Sequence, residues 1–228
     1  MLGGVKSIRK FWRPWMWFVA VPLGLLAVGG GAWTYERFVN NNFHEVVAGK
    51  VYRSAQPSVG EFRRWNERYH FRTIINLRGD SKTPPLVAEI ATARELNVKY
   101  VSVPLPNTRL PAAWALQRVA RAIEKSAQPM LLHCRAGADR TGVASTMAAM
   151  AIGGESFEQA RRHLGPMYLH FDHDPTHVSG CIEQYEQYCR QSKGGQTGGW
   201  PEFRAWLFNE FRGFDEPEPA ELTTQPGD

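Results

Sequence analysis

The sequence predicts an α/β protein, a central and mainly parallel sheet flanked by helices and preceded by one transmembrane helix. Three observations lead there. Short apolar or β-branched runs alternate with helix-patterned segments through the middle of the chain, as in successive β–α units. Ahead of them lies an uncharged stretch, WMWFVAVPLGLLAVGGGAWTY (15–35), about as long as the roughly 20 residues a helix needs to cross a bilayer. Finally, 228 residues at 43% hydrophobic content suit one well-packed domain with appendages better than two domains.

Taken in order, the apolar stretch carries Trp15 and Trp17 at one end and Trp33 and Tyr35 at the other, where interfacial aromatics belong. Pro22 and the glycines are tolerated in such a helix. Lys6, Arg9, Lys10 and Arg13 precede it, so the positive-inside rule keeps residues 1–14 in the cytoplasm. The expected location is the inner (plasma) membrane, single-pass, with the domain on the periplasmic or extracytoplasmic side. A cleavable signal peptide is the competing reading, against which stands the lack of an A-x-A cleavage pattern.

Residues 36–50 read as a linker into the domain, which is expected over 36–192, and residues 50–53 as a short strand. Ser58 and Glu61 form an S-x-x-E capping box that opens a helix to about Tyr69. Residues 73–77 (TIINL) form a strand, 84–96 a helix, 98–105 an alternating strand, 111–125 a helix and 130–133 a short buried strand. Residues 141–152 (TGVASTMAAMAI) read as a buried helix, Ser156 with Gln159 as a second capping box, and 177–192 as the last domain helix. A Gly-rich joint and short helix fill 193–213, with Trp206, Leu207 and Phe211 on the apolar side. An acidic tail over 214–228 is expected to be disordered.

Lys and Arg outnumber Asp and Glu by 27 to 22, and the charge stays positive without the basic N-terminus and acidic tail. That suits an anionic substrate but is too mild and unpatterned for nucleic acid. Three cysteines, Cys134, Cys181 and Cys189, make neither a disulfide framework nor a C-x-x-C zinc pair. The later two read as packing residues.

The chemistry concentrates between the buried strand and the buried helix, in His133-Cys134-Arg135-Ala136-Gly137-Ala138-Asp139-Arg140-Thr141. A strand, a tight loop of small residues and a helix start together make a nest of backbone N–H groups suited to phosphate. Cys134 opens the nest, whose positive field, with Arg140, favours the nucleophilic thiolate. Arg140 can fork onto two phosphate oxygens, Thr141 can donate its hydroxyl to the sulfur, and His133 can fix the loop.

This H-C-x-x-G-x-x-R-T arrangement resembles the signature of the protein tyrosine and dual-specificity phosphatase superfamily. VYRSAQP (51–57) and TIINLRGD (73–80) are similar to its small dual-specificity members, so the resemblance covers roughly residues 45–190. It implies a cysteinyl-phosphate intermediate on Cys134, Arg140 as phosphate clamp, and a cradle from Arg135, Ala136, Gly137, Ala138 and Thr141. It implies no metal and no organic cofactor. Phosphorylated proteins and lipid or inositol phosphates are the two substrate classes; a membrane anchor, Arg135 and Asp139 lean toward lipid headgroups, the general family resemblance leans toward proteins, and neither prevails.

The sequence departs from the pattern in one respect. Members of the superfamily carry a general-acid Asp on a loop upstream of the cysteine, yet between Leu96 and Cys134 the only acid is Glu124, inside a helix. Asn107 stands near the expected place and cannot donate a proton in that role. Asp139 is the substitute expected here, against a reading in which it only braces the loop; Asp80, Asp172 and Asp174 are further candidates. His170, His173 and His177 raise a metal site, which a thiolate enzyme does not need. The alternatives to a phosphatase are an inactive phosphate-binding module and a rhodanese-like sulfurtransferase.

Overall fold

A computed structural model describes residues 15–35, 39–79, 83–171, 174–192 and 194–219. Five strands form one sheet in the order β1-β2-β5-β3-β4: β1 (His44–Val47), β2 (Val51–Ser54), β3 (Thr73–Asn76), β4 (Lys99–Ser102) and β5 (Met130–His133). Only β1 runs antiparallel to its neighbour; β2, β5, β3 and β4 are parallel. The linker expected over 36–50 therefore contains a strand. HEVV is too short to announce itself by alternation, and its pairing with β2 supplies the order that the local sequence lacks.

Side chains alternate across the sheet, as the two-residue period requires. Tyr52, Ile74 and Leu131 face a layer that includes Phe62 of α2 (Val59–Tyr69) and Ala93 of α3 (Pro84–Glu95). Val51, Ile75, Met130 and Leu132 face a larger layer built from α4 (Ala113–Lys125), α5 (Asp139–Ala151), the single turn α6 (Phe157–Ala160), α7 (Gly180–Ser192) and α8 (Trp200–Asn209). Both expected capping boxes form, at Ser58 and Ser156. Cys181 and Cys189 are free and fully buried in α7, and burial pushes the Cys181 thiol up to about 12, consistent with packing rather than chemistry.

Several elements are shorter than expected, β4 and α7 among them, and two differences go further. Helix α5 begins at Asp139, not Thr141, so Asp139 and Arg140 belong to its first turn; polar residues hid a start that the apolar pattern placed later. At the other end, α8 buries Phe203, Trp206 and Leu207 in the main core. Residues 214–219 correct the expected disorder: Glu216 pairs with Arg109 at 2.7 Å, Glu218 with Arg118 at 3.2 Å, and Trp114 Nε1 donates to the Glu216 carbonyl at 2.9 Å. The basic face of α4 and its flanking loop gives the acidic residues a place to dock. Residues 220–228 lie outside the described ones.

Ahead of the sheet stands α1 (Trp15–Thr34), within which Trp17–Thr34 is long and apolar enough, by length and composition, to cross a membrane. Its large apolar side chains, Phe18, Leu23, Leu25, Leu26 and Val28 among them, are exposed.

Candidate active site

The parallel strands finish level, with Ser54 and Asn76 both in register with His133, and β5 lies between them. Ligands of open α/β sheets bind outside such carboxyl ends. Here the chain leaves β5 through Cys134 and re-enters helix at Asp139, so the N-terminus of the 13-residue α5 points its free N–H groups and positive dipole end at the intervening loop.

The shape of that loop is set from outside. Gln56 N–H donates to the Arg135 carbonyl at 3.3 Å. Asn42 Nδ2 donates to Ala136 at 3.1 Å, and Arg53 Nη2 to Gly137 at 2.6 Å. The Ala138 carbonyl receives Gly142 N–H at 2.7 Å. A trans peptide sets its N–H opposite its C=O, so anchoring these four carbonyls to the surroundings turns the N–H groups of Ala136, Gly137, Ala138 and Asp139 the other way, into the loop. Gly137 N–H indeed reaches Cys134 Sγ at 3.3 Å. Among the described residues, no protein acceptor takes the N–H of Arg135, Ala136, Ala138, Asp139 or Arg140. Gly137 has φ +72°, and a Cβ there would stand 2.6 Å from Ala55 N and 2.7 Å from the Ser54 carbonyl carbon, so only glycine lets the loop lie this close to the end of β2.

Arg53 is the residue that sequence reading missed. It lies in VYRS with no accessible surface, its Nη1 donating to the His163 carbonyl at 2.7 Å and its guanidinium stacked 4.1 Å from the Tyr168 ring centre. Burial lowers its pKa to about 10, against the opposing pull of Tyr168, Cys134 and Asp139, so it stays cationic at neutral pH. The same burial, helped by Arg53, pushes His163 down to about 3 and keeps that ring neutral. Alternation put Arg53 on an inward face of β2, but an arginine in a four-residue strand carries no local sign of which buried acceptors await it.

The sequence-predicted residues take the following places. Cys134 is buried at the base of the loop. His133 Nε2 lies 2.8 Å from Glu89 Oε1, both side chains buried, and Glu89 is bonded in turn to Gln56, which accepts from Arg78 Nη1 at 2.6 Å. Arg140 Nη1 reaches the Leu105 carbonyl at 3.4 Å, placing its guanidinium beside the PLPN loop, while its Nε is buried without a partner among the described residues. Thr141 Oγ1 is likewise buried and unpartnered; the donor observed on Sγ is Gly137, not Thr141. Arg135 is exposed at the mouth.

Of the acid candidates, Asp139 is held through Oδ1 by His170 Nδ1 at 2.8 Å, which leaves Oδ2 facing no partner among the described residues. Asp174 is committed to a local turn, its Oδ1 accepting from Thr176 N and Oγ1 at 2.8 and 2.7 Å. Asp80, Asp172 and His173 lie outside the described residues. Among the described residues no group of His, Cys, Asp or Glu converges on a metal position.

The match to known proteins agrees with this loop. The family described as DSP-PTPase phosphatase fused to NAD+ kinase matches residues 36–163, more than half of the chain, and the chain belongs to that family. Membership places it among phosphatases and sets aside the sulfurtransferase alternative. No protein in a search of curated proteins matches. Among solved structures, the core catalytic domain of the PP-IP phosphatase Siw14 from S. cerevisiae, in complex with citrate, is 20% identical, covering 66% of this chain and 91% of that one at a TM-score of 0.48. TpbA from P. aeruginosa is 19% identical over 75% of this chain and 92% of its own, TM-score 0.47. Tk-PTP in its active form is 18% identical over 63% and 94%, TM-score 0.47.

Arg53→Met keeps the apolar stem and removes the guanidinium, leaving buried carbonyls unmet at a cost of about 1–3 kcal/mol each. The variant should unfold at lower urea and bind vanadate, a phosphate analogue, at least about tenfold more weakly. Unchanged vanadate affinity would mean that the loop holds its shape without Arg53.

Proposed function

We propose that the chain hydrolyses phosphate monoesters through a covalent intermediate on Cys134. The carrying observation is the loop whose carbonyls are turned outward and bound, opened by a buried cysteine and flanked by an arginine whose buried Nε has no partner among the described residues. Buried cationic and N–H donors without acceptors are costly in a native fold. A dianionic phosphate would meet them together.

In this reading Cys134 Sγ attacks phosphorus, an S–P bond forms as the ester P–O bond breaks, and the leaving oxygen takes a proton. Water then attacks the thiophosphate, releasing inorganic phosphate and restoring the thiolate. Arg140 and the amides of residues 135–140 hold the equatorial oxygens, where charge develops. Thr141 Oγ1 is available to the sulfur as it departs, and Glu89 orients His133, which backs the loop. Asp139 is the proton donor through Oδ2, with His170 fixing the carboxyl by its other oxygen. The helix α1 anchors the domain, on the extracytoplasmic side, by the cationic flank that precedes it.

Cys134→Ser should abolish release of phosphate from p-nitrophenyl phosphate while vanadate still binds, because the cradle persists and only the nucleophile is weakened. Turnover near that of the wild type would remove Cys134 from the reaction.

For Asp139→Asn the test compares leaving groups. Turnover of an alkyl phosphate, whose oxygen leaves poorly without a proton, should fall by about 10²–10⁴-fold, and that of an activated aryl phosphate far less. Equal losses on both would make Asp139 a brace and transfer the acid role to Asp80 or Asp172.

A further inference from the structure

The mouth of the loop is joined to α1 by an unusually short leash. Seven residues separate Thr34, the end of α1, from Asn42, and even fully extended those eight steps reach about 28 Å. The actual path is shorter, since Asn40 N–H donates to the Tyr35 carbonyl at 2.9 Å. Asn42 is itself part of the loop's outer frame: its Nδ2 bonds the Ala136 carbonyl and, at 2.9 Å, the carbonyl of Tyr168. If α1 spans a bilayer, the phosphate loop is thus held at the bilayer surface.

The segment around Tyr168 presents an apolar edge at that same place. Tyr168 and His170 point inward, onto Arg53 and Asp139 respectively. Met167 and Phe171 point out, with 70% and 59% of their surfaces exposed. Between them Leu169 adopts φ +61°, a left-handed conformation that a bulky residue rarely takes and that functional segments are known to store. Single exposed apolar residues are ordinary. Here two flank the inward residues of one strained turn that is tied to the loop through Asn42 and Asp139, and the same loop carries the exposed Arg135. An exposed apolar pair and an exposed cation on joined segments match the surface of an anionic bilayer.

We infer that Met167, Phe171 and Arg135 form a bilayer-contacting rim and that the substrate is a lipid phosphate monoester presented in that bilayer. This rests on the reading of α1 as an anchor and of the loop as a phosphatase site. The headgroup phosphate enters the cradle while the two apolar side chains dip among the acyl chains beside it, so the ester need not leave the membrane.

The full chain in nanodiscs of phosphatidylcholine and phosphatidylglycerol doped with phosphatidic acid provides the test, with p-nitrophenyl phosphate, glycerol 3-phosphate and a phosphotyrosyl peptide as soluble comparisons. The wild type should hydrolyse phosphatidic acid in preference to glycerol 3-phosphate. In M167S/F171S the ratio of phosphatidic acid to aryl phosphate kcat/KM should drop about tenfold, a modest share of what burying two large apolar side chains can give. M167L/F171L, apolar but reshaped, should keep the ratio. An unchanged ratio in the serine variant, or a wild type that turns over the peptide and not phosphatidic acid, overturns the inference and leaves the phosphatase reading intact. Failure of the wild type on aryl phosphate, or extraction of the chain from lipid by alkaline carbonate, would instead bring down the readings beneath it.

Discussion

The site depends on one buried guanidinium. A cation with no accessible surface is costly unless its donors are met, and Arg53 offsets most of that cost with the carbonyls of His163 and Gly137 and the face of Tyr168, its Nε alone having no partner among the described residues. Arg53 stands on β2 and its partners come from the loop after β5 and the segment after α6, so three stretches distant in sequence meet. Closing them around one planar, rigid group holds the Gly137 carbonyl outward while Gln56 and Asn42 hold those of Arg135 and Ala136, and the inward amide cradle follows from peptide planarity. Arg53 also contributes positive field toward Cys134 and Asp139, so the group that shapes the site also suits it to anions.

Much of this was legible in the sequence. The order and type of the parallel strands and their helices followed from apolar period and punctuation, and both capping boxes formed because Ser-x-x-Glu/Gln is a local, self-contained signal. The loop was legible for the same reason: cysteine, glycine, arginine and threonine stand at fixed spacing between a strand and a helix. What escaped depends on long-range contact. β1 is ordered by its pairing with β2, Asn42 and Arg53 act on residues more than eighty positions away, and Glu89 meets His133 from another helix. The acidic residues 214–219 looked like a solvated tail because their basic partners are a hundred positions upstream.

The missing upstream acid changes how the site must work. The PLPN loop still reaches Arg140 through the Leu105 carbonyl, but it carries Asn107 where a proton donor would be expected. Helix α5 begins early enough to bring Asp139 into its first turn, and the strained turn at Leu169 brings His170 to it. His170, which holds the Asp139 carboxyl, and the exposed apolar pair thus share one short segment, which ties that carboxyl to whatever surface the segment meets.

The covalent intermediate is the most direct test of the account. Mixing the full chain with excess aryl phosphate, quenching in acid within milliseconds and mapping the digest by mass spectrometry should find a phosphoryl group on Cys134, building up as the aryl alcohol is released and disappearing as substrate is exhausted. Turnover with no phosphoryl group on the chain, or with one on His133 instead, would contradict it.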